Sequence, residues 1–188
     1  AKAVERSGLD VVVTDDPAIV RAADGVVLPG VGSTGAAMDR LTDRDFVSSL
    51  RGLDLPLLGI CVGLQLFFEA SDEDGAECLG LIAGRVERLA EAPKLPHIGW
   101  NDLELVGADP LLAGIDDGAP FYFVHSYAAA PTDESVVVAR AIYGRPFVAI
   151  ARAGRRVGVQ FHPERSGSDG LRVLSNFVDE CREAADAA

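Results

Sequence analysis

The stretch PLLGICVGLQLFFEAS, residues 56–71, constrains the fold more than any other part of the chain. It begins as a short apolar run, which predicts a buried strand. The run leads into a G-x-C-x-G pattern, Gly59 to Gly63, which is typical of a nucleophile elbow with a thiol in place of a hydroxyl. The flanking glycines remove Cβ atoms that would clash in so tight a turn. We therefore expect Cys61 to be pushed out of the turn as a nucleophile; a core cysteine beside accidental glycines is the alternative.

The elbow also predicts the chemical state of this cysteine. A thiol at the N-terminus of the following helix meets the helix dipole and free N–H groups, which favour the reactive thiolate. The other two cysteines, Cys78 and Cys181, are widely spaced and no C-x-x-C is present, which speaks against a disulfide framework or a zinc knuckle. Cys181 lies on the apolar side of a C-terminal helical pattern, so we expect it to be buried.

Strand and helix patterns alternate up to Gly80, and this alternation predicts a parallel sheet with helices on both faces. Shorter runs follow, separated by turn residues, and predict antiparallel strands added to the sheet. The expected fold is therefore a flavodoxin-like, doubly wound, mostly parallel α/β sheet with an added antiparallel region. The predicted strands of the first part are 9–14, 25–32 and 55–60, and its predicted helices are 16–23, 34–41, 44–53 and 63–71.

The two ends of the chain carry helical patterns. Residues 1–8 have such a pattern where a doubly wound domain normally begins with a strand, so we expect the first strand of the fold to be missing from this sequence. We interpret residues 1–188 as a single domain. The last helix, predicted over 170–187, has a buried stripe at helical spacing. Its members are Leu171, Leu174, Phe177, Val178, Cys181 and Ala185.

The charge and hydropathy of the chain exclude several classes of protein. The formal net charge is −12, whereas a nucleic-acid-binding protein needs a basic face. No apolar run approaches the ~20 residues of a membrane span, and no leader pattern opens the chain. We therefore expect a soluble cytoplasmic protein that binds neither nucleic acid nor membrane. Its acidic surface fits either ordinary solubility or adaptation to high salt.

A base for the thiol is predicted at His162, in the motif GVQFHPE just past a strand. A nucleophile of this type needs a base, and the base needs an orienting carboxylate. Glu164 stands two residues further on, on the same side of an extended chain, and Pro163 stiffens the segment between them. A surface His-Pro-Glu turn is the alternative.

An oxyanion hole is the third requirement of acyl transfer. The backbone N–H of Val62 follows from the elbow itself. A second donor is expected from the glycine-rich turn Pro29–Gly32, because ligands of such sheets bind at the carboxyl ends of the strands. A plain strand-to-helix turn is the alternative there. His97 and His125 are either structural or pocket-lining, and since no two histidines have metal-ligand spacing, we expect no metal.

The motifs PGVG, GICVGLQLFFEAS, PHIGWN, YFVHSY and VGVQFHPERSG together resemble those of the class I, triad-type glutamine amidotransferases. The resemblance runs from near the first residue to about Phe177, and it is closest to the branch that serves histidine biosynthesis. It implies that Cys61 is the nucleophile, His162 the acid and base, and Glu164 its orienting partner. It further implies oxyanion and substrate contacts from Gly30, Val31, Gly32, Val62, Gln65, Glu73, Ser126 and Tyr127.

The same resemblance implies an activity and a partner. Free L-glutamine would be hydrolysed to glutamate and ammonia without any cofactor. The ammonia would pass to a cyclase subunit, a (β/α)₈ barrel, and a turning peptide in PGVG would switch the site on when that partner is loaded. The sequence departs from the family in two respects. It lacks a Y-G-x-G-N loop. It also carries Arg165 where many relatives have lysine, so any salt bridge made by this residue differs in geometry.

Three other functions stay open at this point. A glutaminase subunit of another pathway would share the triad and differ in its acceptor subunit. A flavodoxin-like cysteine peptidase or stress protein commonly places its carboxylate elsewhere in the chain, so the H-P-E motif weighs against it. A non-catalytic module that binds a partner is disfavoured by the intact set of Cys61, His162 and Glu164.

Overall fold

The computed structural model describes residues 10–187. Five α-helices, three short 3₁₀ helices (Pro110–Leu112, Glu134–Val136 and Pro163–Arg165) and twelve strands lie in this range. The helices are α1 (Pro17–Arg21), α2 (Thr34–Asp43), α3 (Phe46–Arg51), α4 (Val62–Gln65) and α5 (Gly167–Asp186). The strands are β1 (Val26–Gly30), β2 (Leu57–Cys61), β3 (Ala70–Ser71), β4 (Ala76–Glu77), β5 (Gly84–Arg88), β6 (His97–Asp102), β7 (Glu104–Leu105), β8 (Pro120–His125), β9 (Tyr127–Pro131), β10 (Val137–Tyr143), β11 (Arg145–Ala153) and β12 (Arg156–Val159).

The main sheet has six strands in the order β1-β2-β12-β11-β10-β7. Strands β1, β2 and β12 run parallel, and β11, β10 and β7 continue the sheet in antiparallel fashion. A second sheet has the order β4-β3-β5-β9, and β6 pairs with β8 alone. The expected α/β fold with an added antiparallel region is confirmed. Strand β12 was expected among the antiparallel strands; this is confirmed for its pairing with β11 and wrong for its pairing with β2, to which it runs parallel.

Helices cover both faces of the main sheet, as the alternation predicts. Neighbouring residues of β2 show this directly, since Leu57 belongs to one buried cluster and Leu58 to the other. The cluster around Leu58 includes the inner face of α5, and the cluster around Leu57 includes α1, α3 and α4. Within the described residues, none of the helices has the length and apolar character needed to cross a bilayer.

The strand predicted at 9–14 is not formed over its described part, residues 10–14. Val12 is 66% and Val13 84% exposed. A strand needs a neighbour for its backbone N–H and C=O groups. In a flavodoxin-like order of 2-1-3-4-5, the neighbour of this segment would be a preceding strand lying between it and β1. Nothing in the described range occupies that position. The predicted helix at 1–8 lies outside the described residues.

The helix predicted at 63–71 is much shorter, because α4 ends at Gln65. The apolar residues beyond it are buried as expected, with Phe67 and Phe68 both inaccessible, but by a tighter backbone path. Their N–H groups bond to carbonyls three residues back, and the chain then joins β5, with the N–H of Glu69 on the carbonyl of Gly84. Pairing with a strand therefore overrides the local helical pattern.

The buried stripe of α5 matches the predicted one only in part. Leu174, Phe177, Val178 and Cys181 are buried, Leu171 is half-buried, and Ala185 is exposed. The prediction missed Val173, which is fully buried.

Candidate active site

Cys61 stands at the junction of β2 and α4, in a backbone conformation that few non-glycine residues adopt. It is the last residue of β2 and the N-cap of α4, with φ 56° and ψ −108°. A positive φ at a residue with a Cβ atom is sterically unfavourable and often marks a functional site. The tight, strained turn predicted from G-x-C-x-G is present.

Three glycines make this turn possible. A Cβ atom on Gly63 would lie 1.9 Å from the carbonyl oxygen of Leu28, and one on Gly59 would lie 2.6 Å from the carbonyl of Gly63. Gly30 of β1 pairs with Cys61. It has no room for a side chain either, since a Cβ atom there would lie 2.6 Å from the Cβ atom of Val62. These close approaches hold β1, β2 and α4 against one another.

His162 reaches the same edge of the sheet from β12, which runs parallel to β2. Its backbone is fixed on both sides: its N–H donates to the carbonyl of Tyr122 at 2.9 Å, and its carbonyl accepts from the hydroxyl of Ser166 at 2.7 Å. The thiol of Cys61 is the largest influence on the pKa of this imidazole, and Nδ1 of the ring lies 3.1 Å from a carboxylate oxygen of Glu164. The structure therefore brings the three predicted residues together.

These contacts shift the protonation equilibria of the base and its partner. The hydrogen bond with Cys61, followed by that with Glu164, raises the pKa of His162 to about 9 against the opposing effect of burial. Burial alone would raise the pKa of Glu164, but the hydrogen bond and positive charge of His162 outweigh it and hold that pKa below its ordinary value. With a pKa of about 9, the imidazole carries its positive charge near neutral pH beside the Glu164 carboxylate.

The thiol is less accessible than the elbow predicts, since Cys61 is only 5% exposed. Its sulfur lies 3.8 Å from the carbonyl oxygen of Val124 and 3.7 Å from the side-chain nitrogen of Gln160. Cys61 was expected to be pushed out of the turn, and an accessible sulfur is not what the structure shows, because Val124 of β8 lies against it. The thiol nevertheless lies close enough to His162 to raise the pKa of its imidazole.

The glycine-rich turn lies beside the nucleophile. Gly30 pairs with Cys61, Val31 is 75% exposed, and Gly32 has φ 93°, a value that favours glycine. Across from it, Val62 is the first residue of α4, and an N–H at that position has no acceptor within its own helix. Both predicted sources of oxyanion donors thus flank Cys61.

Gln65 is buried one helical turn beyond the nucleophile. Its side-chain nitrogen donates to the carbonyl of Tyr127 at 2.9 Å and to the side-chain oxygen of Gln160 at 3.1 Å. Because both amide protons are used, only the side-chain oxygen of Gln65 is left to bind a ligand, and it accepts hydrogen bonds. The neighbouring Ser126 uses its carbonyl to accept from Leu89.

Glu73 makes its hydrogen bonds outside the triad. Its carboxylate accepts the backbone N–H of Thr34 at 3.0 Å, in the first turn of α2. This is a helix-capping contact, which also favours a negative charge near the helix N-terminus. The contact ties Glu73 to the end of the glycine-rich turn and not to the triad.

Gln160 is a site residue that was not predicted from the sequence. It is fully buried and contacts both Gln65 and the sulfur of Cys61. A signal was available, since Gln160 and His162 are two residues apart and thus face the same side of an extended chain. A polar residue in an apolar strand that faces the nucleophile is a candidate site residue. Among residues 10–187, no three His, Cys, Asp or Glu side chains cluster as a metal site would require.

Comparison with known proteins identifies the family of the chain. The family model described as glutamine amidotransferase class-I matches residues 3–181. The chain belongs to the class-I glutamine amidotransferase family.

Curated relatives of this chain carry the name of one particular subunit within the family. The imidazole glycerol phosphate synthase subunit HisH of Moorella thermoacetica is 45% identical over 190 residues, which cover 99% of this chain and 90% of the relative. The subunit of the same name from Vibrio cholerae is 44% identical over 184 residues, covering 94% and 90%. A solved structure described as a glutamine amidotransferase is 20% identical and superposes with a TM-score of 0.73 over 96% of this chain and 91% of that one, which shows the shared fold.

Proposed function

We propose that this chain is the glutaminase subunit of an imidazole glycerol phosphate synthase. It hydrolyses L-glutamine to glutamate and ammonia and delivers the ammonia to a cyclase subunit in histidine biosynthesis, in the cytoplasm. We further propose that residues 1–188 act as one glutamine amidotransferase domain. The observation that carries the proposal is the placement of His162 beside β2 and Cys61 at one edge of the sheet, with its imidazole under the influence of the thiol and hydrogen-bonded to Glu164.

The first half of the reaction forms a thioester. The Cys61 thiolate attacks the side-chain carboxamide carbon of glutamine, and the negative charge moves to the carboxamide oxygen. The N–H groups of Val62 and of the 31–32 peptide stabilise this oxyanion, and removal of one such donor costs on the order of 10²–10³ in turnover. The His162 imidazolium then gives its proton to the nitrogen, the C–N bond breaks, and ammonia leaves.

The second half releases glutamate. His162, now neutral, takes a proton from water, and the resulting hydroxide attacks the thioester carbon. The C–S bond breaks, which returns the sulfur as thiolate beside an imidazolium. Glu164 holds Nδ1 of the ring throughout and stabilises its charged form, so the other ring nitrogen always faces the reacting atoms.

The contacts of Gln65 support a role in substrate recognition. Its free side-chain oxygen accepts a hydrogen bond from the α-ammonium group of glutamine, since its own N–H groups are already used. The backbone of Ser126 and Tyr127 completes the polar wall beside it. Glu73 acts at longer range, as a negative charge that favours an ammonium at the rim.

An exposed apolar surface supports docking of the cyclase near the site. Ile98 and Trp100 are 60% and 57% exposed and share one side of β6. The partner strand β8 lies beside the site, because the carbonyl of its Tyr122 accepts the N–H of His162. Large exposed apolar side chains of this kind, Trp above all, commonly anchor protein interfaces. A barrel seated there would receive ammonia without its release into bulk water.

The burial of the thiol supports control of the reaction by the partner. Cys61 is 5% exposed, while the adjacent Val31 is 75% exposed on a turn that contains a positive-φ glycine. We expect loading of the cyclase to turn the 31–32 peptide, which aims its N–H at the oxyanion and opens the thiol. Equal glutaminase rates with and without the loaded partner would contradict this switch.

The test of the proposal is co-purification with the cyclase subunit of an imidazole glycerol phosphate synthase, followed by measurement of glutamate release. We expect a stable complex that hydrolyses glutamine when the cyclase is loaded. Cys61→Ala should abolish hydrolysis and leave the complex intact, whereas Cys78→Ala, which removes another buried thiol, should leave the rate unchanged. No complex, combined with glutamine hydrolysis, would instead indicate a glutaminase of another pathway.

A further inference from the structure

Two buried histidines have no part in the proposed chemistry. His97 on β6 and His125 on β8 are directly opposite in register, 3% and 6% exposed, with Nδ1 of His97 3.1 Å from Nε2 of His125. They lie among aromatic rings: Tyr143 stacks on His97 with centroids 4.0 Å apart, and Phe147 lies 4.8 Å from His125. Phenylalanine would fill such a place without burying polar atoms, so the two imidazoles need a reason beyond packing.

The hydrogen bonds of the pair run in one direction. Nδ1 of His125 lies 2.9 Å from the carbonyl oxygen of Tyr127, which only accepts, so this nitrogen carries the proton. Burial lowers the pKa of His125 to about 4, so the ring is neutral and its Nε2 accepts. The proton between the rings therefore belongs to Nδ1 of His97, and its Nε2 faces the side-chain nitrogen of Asn101 at 3.5 Å.

The same carbonyl orients the residues around the nucleophile. Tyr127 accepts from His125 and from Gln65, both at 2.9 Å. Since the carbonyl of Tyr127 fixes which end of the Gln65 amide points toward it, the second proton of that amide meets the side-chain oxygen of Gln160. The amide nitrogen of Gln160 then lies 3.7 Å from the sulfur of Cys61 and directs an N–H toward it.

We propose that His125, held by His97, is a positioning residue of the site. It fixes the Tyr127 carbonyl, which orients Gln65 toward the substrate and, through Gln160, an N–H toward the Cys61 sulfur. Without His125 the carbonyl has one donor less, and the amides of Gln65 and Gln160 lose their single orientation. This inference rests on the proposed function for its substrate readout, but its effect on the thiol does not.

The wild-type chain itself offers the first test. Nitrogen-15 NMR of the histidine rings at neutral pH should show both His97 and His125 protonated on Nδ1 and not on Nε2. A proton on Nε2 of His125 would overturn the proposal, because the bond to Tyr127 could not then exist.

The second test compares His125→Phe, which keeps a ring but no donor, with His125→Asn, whose amide nitrogen can stand where Nδ1 stood. In the complex with the cyclase, H125F should raise KM for glutamine about tenfold, the effect of one hydrogen bond, with kcat changed less than about threefold. H125N should return KM to within about threefold of the wild type. Tyr143→Phe perturbs the same ring cluster without entering the hydrogen-bonded chain and should leave KM unchanged.

Alkylation of Cys61 by iodoacetamide separates this inference from the proposed function. H125F should alter the alkylation rate at least about fivefold, and H125N and Y143F should not, whether or not the wild type hydrolyses glutamine. A wild-type KM and alkylation rate in folded H125F, or equal changes in H125F and Y143F, would mean that the two histidines only fill space.

Discussion

A carboxylate oxygen of Glu164 lies 3.1 Å from Nδ1 of His162, two residues earlier in the chain. Glu164 lies in a short 3₁₀ turn, Pro163–Arg165, whose N-cap is His162, a few residues after the end of β12. The orientation of the base is therefore built locally, while its contact with the thiol depends on the parallel pairing of β2 with β12. The two halves of the triad are thus held by different levels of structure.

The pKa of His162 should depend on Cys61 more than on Glu164. We expect a wild-type value of about 9, a fall in Glu164→Gln, and a larger fall in Cys61→Ala, since the hydrogen bond with the thiol is the largest cause of the shift. NMR titration of the imidazole checks this order, with Cys78→Ala as the control. A larger fall in Glu164→Gln would contradict the thiol–imidazole contact.

The three cysteines should differ in reactivity although all are buried. Burial raises the pKa of Cys78 to about 11 and that of Cys181 to about 12, so neither is a thiolate near neutral pH. We expect iodoacetamide to modify Cys61 first, and faster still in the loaded complex, as mapped by peptide mass. Preferential labelling of Cys78 or Cys181 in the folded protein would oppose the assignment of the nucleophile.

The elbow should tolerate no side chain at Gly63. Gly63→Ala places a Cβ atom 1.9 Å from the carbonyl oxygen of Leu28, and we expect a loss of about 3 kcal/mol in the free energy of unfolding, measured in urea. Gly107→Ala is the matched control, because nothing lies within 4 Å of its Cβ position. If the two variants are equally stable, the close approach of β1 to α4 is not as described.

His125 should make the protein sensitive to mild acid. Its pKa is about 4 in the folded state and near 6.5 when exposed, so between these values the unfolded chain binds more protons. The contribution of His125 to the free energy of unfolding must then rise with pH from about 4 to 6.5, by up to about 1.4 kcal/mol per unit, and level off above. His125→Asn should show a shallower slope in this window. Identical slopes would mean that His125 is not buried as a neutral ring.

Much of the site could be predicted because its chemistry is local. G-x-C-x-G specifies a strained turn through the absence of Cβ atoms at its two glycines, and His162 and Glu164 lie within one short segment. The pairing of His97 with His125 could not be read in this way, because it depends on the register of two strands far apart in sequence. Glu73 is a similar case, since its carboxylate caps a helix that precedes it by 39 residues.

The wrong predictions about the fold have the same origin. Residues 10–14 have strand composition, but a strand is defined by its neighbour. Residues 66–71 have a helical pattern of apolar residues, but their backbone groups find partners in β5 and in tight turns. A local pattern of apolar residues predicts burial more reliably than it predicts the backbone conformation of the buried segment.

The central claim is that the Cys61 sulfur carries the γ-glutamyl group. The most direct measurement is mass spectrometry of the complex, quenched in acid during turnover of L-glutamine and digested with a protease. We predict a glutamyl thioester on the peptide that contains Cys61, lost in Cys61→Ala and retained in Cys78→Ala. Sustained glutamate release by Cys61→Ala, or an acyl group on another residue, would contradict the account.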